Sequence, residues 1–244
     1  VPDEVTFTCM LKACGSIGAI AKGRQIHHEI TKYNCLDINV SLGTALVDMY
    51  AKCGVLSEAH EVFEVLPVRN VVSWSALIVG YSQAGQAHEA LRCLACMQSE
   101  GISPNGVTFL SVLSACSHVG TLEEAQMYYE NMSSKNWVAP MLEHHASMVS
   151  LLACVGHLDN AISVVASMPV VDNPSVWVAL LGACRKWGNV NLAKFIFDRS
   201  IQLDINLAAA YVLMANIYGA AGMKEEAKRV NTVNVKNNAA FTVP

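Results

Sequence analysis

One glycine recurs along the chain at Gly18, Gly54, Gly85, Gly120, Gly156, Gly188 and Gly222, at spacings of 36, 31, 35, 36, 32 and 34 residues. Five residues after each comes a small residue: Gly23, Ala59, Ala90, Ala125, Ala161, Ala193 and Ala227. Upstream of each glycine runs a helical pattern. A bulky residue opens it at Phe7, Trp74, Phe109, Trp177 and Tyr211, and Gly43 and His145 hold that place in the other two copies. This is the register of a helix–turn–helix. The glycine ends the first helix because it adopts the left-handed conformation at no steric cost. The small residue lets the second helix cross its neighbour closely, and Leu56, Leu122 and Leu158 help to fill the same seam. One such pair cannot bury its apolar stripe; stacked pairs can. The period therefore predicts an all-α, right-handed α-solenoid of about seven helix–turn–helix repeats, with about fourteen helices and no sheet.

Composition narrows the partners. Apolar residues make up 53% of the 244 residues, which excludes a disordered chain. Charged residues are 15%, against roughly 25% in an average domain. The formal net charge of -4 argues against a basic, histone-like binder of polyanions. Nine scattered cysteines do not form a secreted disulfide pattern and fit a reducing compartment. Two 19-residue stretches without formal charge, Asn70–His88 and Ile205–Met223, are too rich in Asn, Gln, Ser and Gly to read as membrane spans. The chain starts at Val1 rather than Met, so it is expected to be a piece of a longer protein, with any transit peptide outside it.

A longer period overlies the short one. Thr6-Phe7 through Leu11-Lys12-Ala13-Cys14 matches Thr108-Phe109 through Leu113-Ser114-Ala115-Cys116, 102 residues on. Ala45–Tyr50 matches Ser147–Leu152 at the same offset. The units thus alternate in type. Together with Leu11–Cys14 (LKAC), Ala45–Gly54 (ALVDMYAKCG), Val71–Tyr81 (VVSWSALIVGY), Leu180–Arg185 (LLGACR) and Tyr211–Tyr218 (YVLMANIY), this alternation resembles the plant pentatricopeptide repeat proteins of the P-L-S class. The last two segments resemble the degenerate E motifs that follow the repeats in organelle RNA-editing factors. The resemblance implies L-type repeats at 4–39 and 106–141, S-type at 40–70 and 142–173, a P-type at 71–105, and E motifs at 174–207 and 208–238. The varying period departs from the fixed 34 residues of tetratricopeptide repeats.

The resemblance also implies a function: sequence-specific recognition of single-stranded RNA, supporting site selection in C-to-U editing in a mitochondrion or chloroplast. In this family the fifth residue of the first helix and the last residue of the repeat read one base. Carried over, the pairs are Thr8 with Asn39, Thr44 with Asn70, and Ser75 with Asn105, each the family's adenine combination. A hydroxyl and an amide suit the donor and acceptor of adenine. Val5 and Val72, at the second place, would sandwich neighbouring bases, while Ser41 departs from that pattern. Leu110 with Met141, and Ala146 with Asn173, lose the required hydrogen-bonding groups, so base reading is expected from the first three repeats. Ser, Thr and Asn at helix starts are also common caps. The resemblance further implies as partners a multiple organellar RNA editing factor and a deaminase, in cis or in trans. A protein-binding scaffold that recruits editing components is the competing reading, and the acidic balance favours it.

Neither catalysis nor a cofactor is expected. His27-His28-Glu29 and Cys93-Leu94-Ala95-Cys96 spell the zinc strings of a cytidine deaminase but fall in second helices of different repeats, with no Pro before Cys93. Glu143-His144-His145 falls where S-type repeats of the family carry a Glu-His pair. No phosphate loop, nucleophile elbow or dinucleotide fingerprint occurs.

Overall fold

The computed structural model describes residues 3–32, 40–134, 138–168 and 174–240. Among them are fourteen α-helices and no strand. They fall into two compact units, Val1–Pro140 and Met141–Pro244. The first holds α1 (Glu4–Ile17), α2 (Ile20–Lys32), α3 (Val40–Lys52), α4 (Leu56–Glu64), α5 (Val71–Gln83), α6 (Ala87–Ser99), α7 (Gly106–Val119) and α8 (Leu122–Ser134). The second holds α9 (Leu142–Val155), α10 (Leu158–Ala166), α11 (Pro174–Trp187), α12 (Val190–Leu203), α13 (Ala208–Ala220) and α14 (Lys224–Ala240). The fold is all-α, and within each unit antiparallel helix pairs stack as an α-solenoid.

All seven framing glycines lie in the turn between the two helices of a pair, with φ from 67° to 90°. At Gly120 the backbone N–H donates to Cys116 O at 2.8 Å, closing α7 with the left-handed turn that a Cβ would strain. The small residues sit where the frame requires them. Ala59, Ala90, Ala125, Ala161 and Ala193 are fully buried. Gly23 faces Met49, whose thioether fills the place an added Cβ would take. The bulky openers Phe7, Trp74, Phe109, Trp177 and Tyr211 are buried too, as is His145 in the same place.

First helices pack on first helices. In the first unit α1 rests on α3, α3 on α5 and α5 on α7; in the second α9 rests on α11 and α11 on α13. α3 and α4 come close to α5 at Gly80, where an added Cβ would fall 2.7 Å from Ala51 Cβ and 3.0 Å from Leu56 Cδ2. Polar links brace the α5–α7 seam: Ser82 Oγ donates to Ser111 O at 2.8 Å, and Ser75 Oγ lies 2.9 Å from Thr108 Oγ1. The α4–α5 seam is aromatic, with Phe63 and Trp74 edge to face at 4.5 Å. Arg69 covers Phe63 and pairs with Glu64 and Glu100 at 2.8 and 2.9 Å.

Capping residues start α1, α5 and α7. The Asp3 carboxylate accepts from Thr6 N–H at 2.9 Å. Asn70 Oδ1 accepts from Val72 N–H and Ser73 N–H, at 2.9 and 3.0 Å, and Asn105 Oδ1 accepts from Thr108 N–H at 2.9 Å. The last helix, α14, is polar at Lys224, Glu225, Glu226, Lys228 and Arg229 and runs to Ala240. No helix among the described residues is long and apolar enough to cross a membrane.

Two predictions about stability follow from this packing. Gly80→Ala should lower the melting temperature, because forcing a methyl onto Ala51 costs about 1–3 kcal/mol and exceeds the helix-propensity gain of about 1 kcal/mol. Gly182→Ala and Gly219→Ala, helical glycines with open space around the added Cβ, should raise it. Thermal unfolding of the three variants measures the contrast. At the start of α7, Asn105→Ala should cost about 1 kcal/mol by removing the cap, and Asn105→Asp should stay within a few tenths, since Asp caps as well as Asn does. Urea midpoints decide this.

Candidate functional site

The stacked first helices of the first unit present one face each to a common groove of about 800 Å³. From α1 it takes Thr8 and Lys12; from α3 it takes Ser41, Thr44, Asp48 and Lys52; from α5 it takes Val72, Ser75, Ala76 and Val79; from α7 it takes Val107. The spacing of three to four residues along each helix puts these side chains on one side. The capping residues Asn70 and Asn105 complete the lining.

Six of the eight residues expected to contact RNA meet in this groove: Thr8, Thr44, Asn70, Val72, Ser75 and Asn105. Val5 is 68% exposed near the start of α1 and is not part of the lining. Asn39 lies outside the described residues, so the pairing of Thr8 with Asn39 has no geometry here, and the same holds for Asn173 beside Ala146.

The groove residues differ in what they already bond. Ser75 Oγ lies 2.6 Å from Val71 O as well as 2.9 Å from Thr108 Oγ1. Asn70 and Asn105 use their oxygens as caps, so both the structural and the functional reading of these asparagines apply to the same side chains. The hydroxyls of Thr8 and Thr44 are buried and have no hydrogen-bond partner. An unmet buried hydroxyl costs about 1–3 kcal/mol. Threonine has two accessible χ1 positions in a helix, so either hydroxyl can turn to a polar group that enters the groove.

Sequence reasoning missed Val107. It stands second in α7, in register with Val5 and Val72, and all three are more than half exposed. The Phe109 frame was enough to find it. The groove's charge comes from Lys12 and Lys52, and Lys52 is paired with Asp48 at 2.6 Å.

Elsewhere, motifs with a chemical look have structural roles. His144 Nδ1 accepts from Met141 N–H at 3.1 Å and caps α9. His27 Nδ1 lies 2.9 Å from the Tyr50 hydroxyl, and burial, with His28 beside it, holds His27 below the ordinary imidazole range. Burial pushes the Cys93 thiol up to about 12. Among the described residues no three His, Cys, Asp or Glu side chains are grouped to hold a metal. In the second unit, Lys186 Nζ and Trp187 Nε1 donate to Cys154 O and Ala153 O at 3.0 and 2.8 Å, closing the end of α9. Lys186, a cation of the kind that contacts phosphate, is engaged there. The fifth places of α11 and α13 hold Val178 and Val212, with no hydrogen-bonding side chain.

Comparison with known proteins agrees with the repeat frame. The profile of the PPR repeat family matches residues 69–118, and that of the PPR repeat matches 5–35, 44–71 and 107–137, together about half of the chain. A mitochondrial pentatricopeptide repeat-containing protein of Arabidopsis thaliana is 42% identical over 93% of this chain and 33% of its own length. A chloroplastic one from the same plant is 39% identical over 100% of this chain and 27% of its own. The chain spans less than half the length of the curated relatives it matches. Among solved structures, the pentatricopeptide repeat protein PPR10, in complex with an 18-nt psaJ RNA element, aligns with a TM-score of 0.59 and 15% identity over 98% of this chain and 41% of its own. That likeness concerns the fold. With seven glycine-framed helix pairs, repeat profiles on half of its residues and plant relatives over nearly all of them, the chain belongs to the pentatricopeptide repeat family.

Proposed function

We propose that this chain binds single-stranded RNA in the groove of its first unit and reads bases there with a preference for adenine. The observation that carries the reading is the groove itself. It gathers Thr8, Thr44, Ser75, Asn70 and Asn105 with the exposed Val72 and Val107, and leaves two threonine hydroxyls without partners. Valines spaced one repeat apart offer apolar surfaces for base faces, and the hydroxyls and amides between them offer edges for hydrogen bonds. The structure of PPR10 in complex with an RNA element supports the same use of this fold. Within the longer protein, the function is site selection in organelle C-to-U RNA editing, in mitochondrion or chloroplast, where two of its relatives are named as residing.

A second reading, a scaffold that docks protein partners, is favoured by the net charge of -4 and by the half-exposed Trp187, Phe195 and Val212 of the second unit. The partners in view are a multiple organellar RNA editing factor and a deaminase. The two readings coexist if RNA binding tightens when such a factor is added.

Equilibrium binding of a labelled A-rich RNA, at several salt concentrations, tests the first reading. With about two phosphate contacts, from Lys12 and Lys52, log K should fall with log salt at a slope near -1.4. Asn105→Asp should shift the preference at one nucleotide from adenine toward guanine by about tenfold, because an ionised carboxylate only accepts. Binding that ignores base identity in both proteins would remove base reading and favour the scaffold.

A further inference from the structure

Between Ser75 and Asn105 stands a third side chain, Thr108, fully buried in the first turn of α7. Its Oγ1 is 2.9 Å from Ser75 Oγ and 2.9 Å from Asn105 Oδ1, and its backbone N–H donates to the same Oδ1 at 2.9 Å. Two proton arrangements satisfy these distances. Ser75 donates to Val71 O and Thr108 donates to Ser75, or Ser75 donates to Thr108 and Thr108 donates to Asn105. In both, the Ser75 proton is held inside the protein, so Ser75 offers the groove only lone pairs. In both, Asn105 Oδ1 is turned onto Thr108, so the amide offers its Nδ2 hydrogens. The pair therefore presents one acceptor and one donor in fixed order. The N6 amino group and N1 of adenine complement that order, and the O6 and N1–H of guanine reverse it.

The preceding repeat lacks this bridge. Asn70 Oδ1 accepts from the backbone N–H groups of Val72 and Ser73, as expected of a cap. The Ser73 hydroxyl, in the register of Thr108, bonds only the Asn70 backbone, donating to its carbonyl and accepting from its N–H, both at 3.0 Å. The Thr44 hydroxyl, in the register of Ser75, has no partner. The two repeats thus share their base-facing residue types and differ in whether a buried hydroxyl ties them together.

We infer that Thr108 is a positioning residue for base recognition: without touching RNA, it fixes which hydrogen-bonding groups Ser75 and Asn105 turn to the groove. The inference rests on the base-reading proposal above. Removing the hydroxyl frees a lone pair on Ser75 in the first arrangement and one on Asn105 Oδ1 in the second, where the Ser75 proton turns to Val71 O, so in either case the site gains an acceptor and its penalty against guanine falls.

The test is binding of the whole chain to RNAs in which one nucleotide at a time is adenine or guanine. Thr108→Val should narrow the adenine-to-guanine ratio about fivefold at one nucleotide and leave the others unchanged. Thr108→Ser, which keeps the hydroxyl, should retain the wild-type ratio. Ser73→Ala, the matching deletion where the hydroxyl touches only backbone, should leave the ratio at its own nucleotide unchanged. If valine disturbs folding at this buried site, Thr108→Ala, a better helix former, carries the same comparison. An unchanged ratio in a folded Thr108→Val or Thr108→Ala protein overturns the inference while base reading stands. So does an equal loss in Ser73→Ala, which would assign the effect to helix capping. A wild-type protein with no base preference anywhere removes the base-reading proposal, and the role of Thr108 with it.

Discussion

The packing of first helix on first helix is the constraint from which the rest of the first unit follows. At the α3–α5 crossing the helices come so close that Gly80 has no room for a methyl against Ala51. Such contact leaves little freedom in axial shift or rotation, because interdigitated side chains admit few registers. Equivalent residues of successive repeats therefore fall at equivalent places along the groove. Thr8, Thr44 and Ser75 line one groove because the same helices anchor Leu11, Leu46 and Ile78 in the core without exposed surface. A row of hydroxyls in register is a by-product of a core in register.

The same economy governs the asparagines. A first helix needs its leading N–H groups satisfied, and a side-chain oxygen at the cap position does this. The amide has a second end. With Oδ1 on the α7 backbone, Asn105 has Nδ2 left for the groove, and Asn70 has the same on α5. One residue thus connects helix stability to surface chemistry, and its orientation at the surface is set by the helix it begins. Substitutions between Asn and Asp keep the cap and invert the groove-facing polarity, so the scaffold is indifferent to changes that the surface registers.

The frame of the fold was legible because it is written in residues with one dominant physical reason. Glycine at Gly18 through Gly222 serves the left-handed turn, and alanine five places later serves the helix crossing; each reading stands alone. The site was legible as a set of positions and less so as chemistry. Ser75 and Thr44 look alike in sequence, yet one hydroxyl is bonded twice over and the other not at all. The difference lies in Thr108, whose partner is 33 residues away along the chain. Val107 was missed for a simpler reason, since attention fell on the polar pairs and not on the exposed valine beside Asn105. His144 and Lys186 show the opposite case: each is a residue type that serves many sites, and each satisfies backbone groups of α9.

The charge of the groove shapes what it is able to recognise. A surface that follows a phosphate backbone gathers lysine and arginine, and its affinity collapses with salt. Here Lys12 stands with a Lys52 already paired to Asp48, so attraction to phosphate is weak. If the groove binds RNA as proposed, most of the binding energy comes from base faces against Val72 and Val107 and from edges against the hydroxyls and amides. Stacking on apolar side chains is tolerant of sequence, and hydrogen bonds to edges are not. A groove with little electrostatic affinity is therefore selective in a way a basic one is not. Without strong non-specific binding to hold a wrong sequence, each mismatched edge removes a large share of what remains. The second unit, with Val178 and Val212 at the corresponding places, lacks those edges, so base discrimination, on the reading proposed above, belongs to the first.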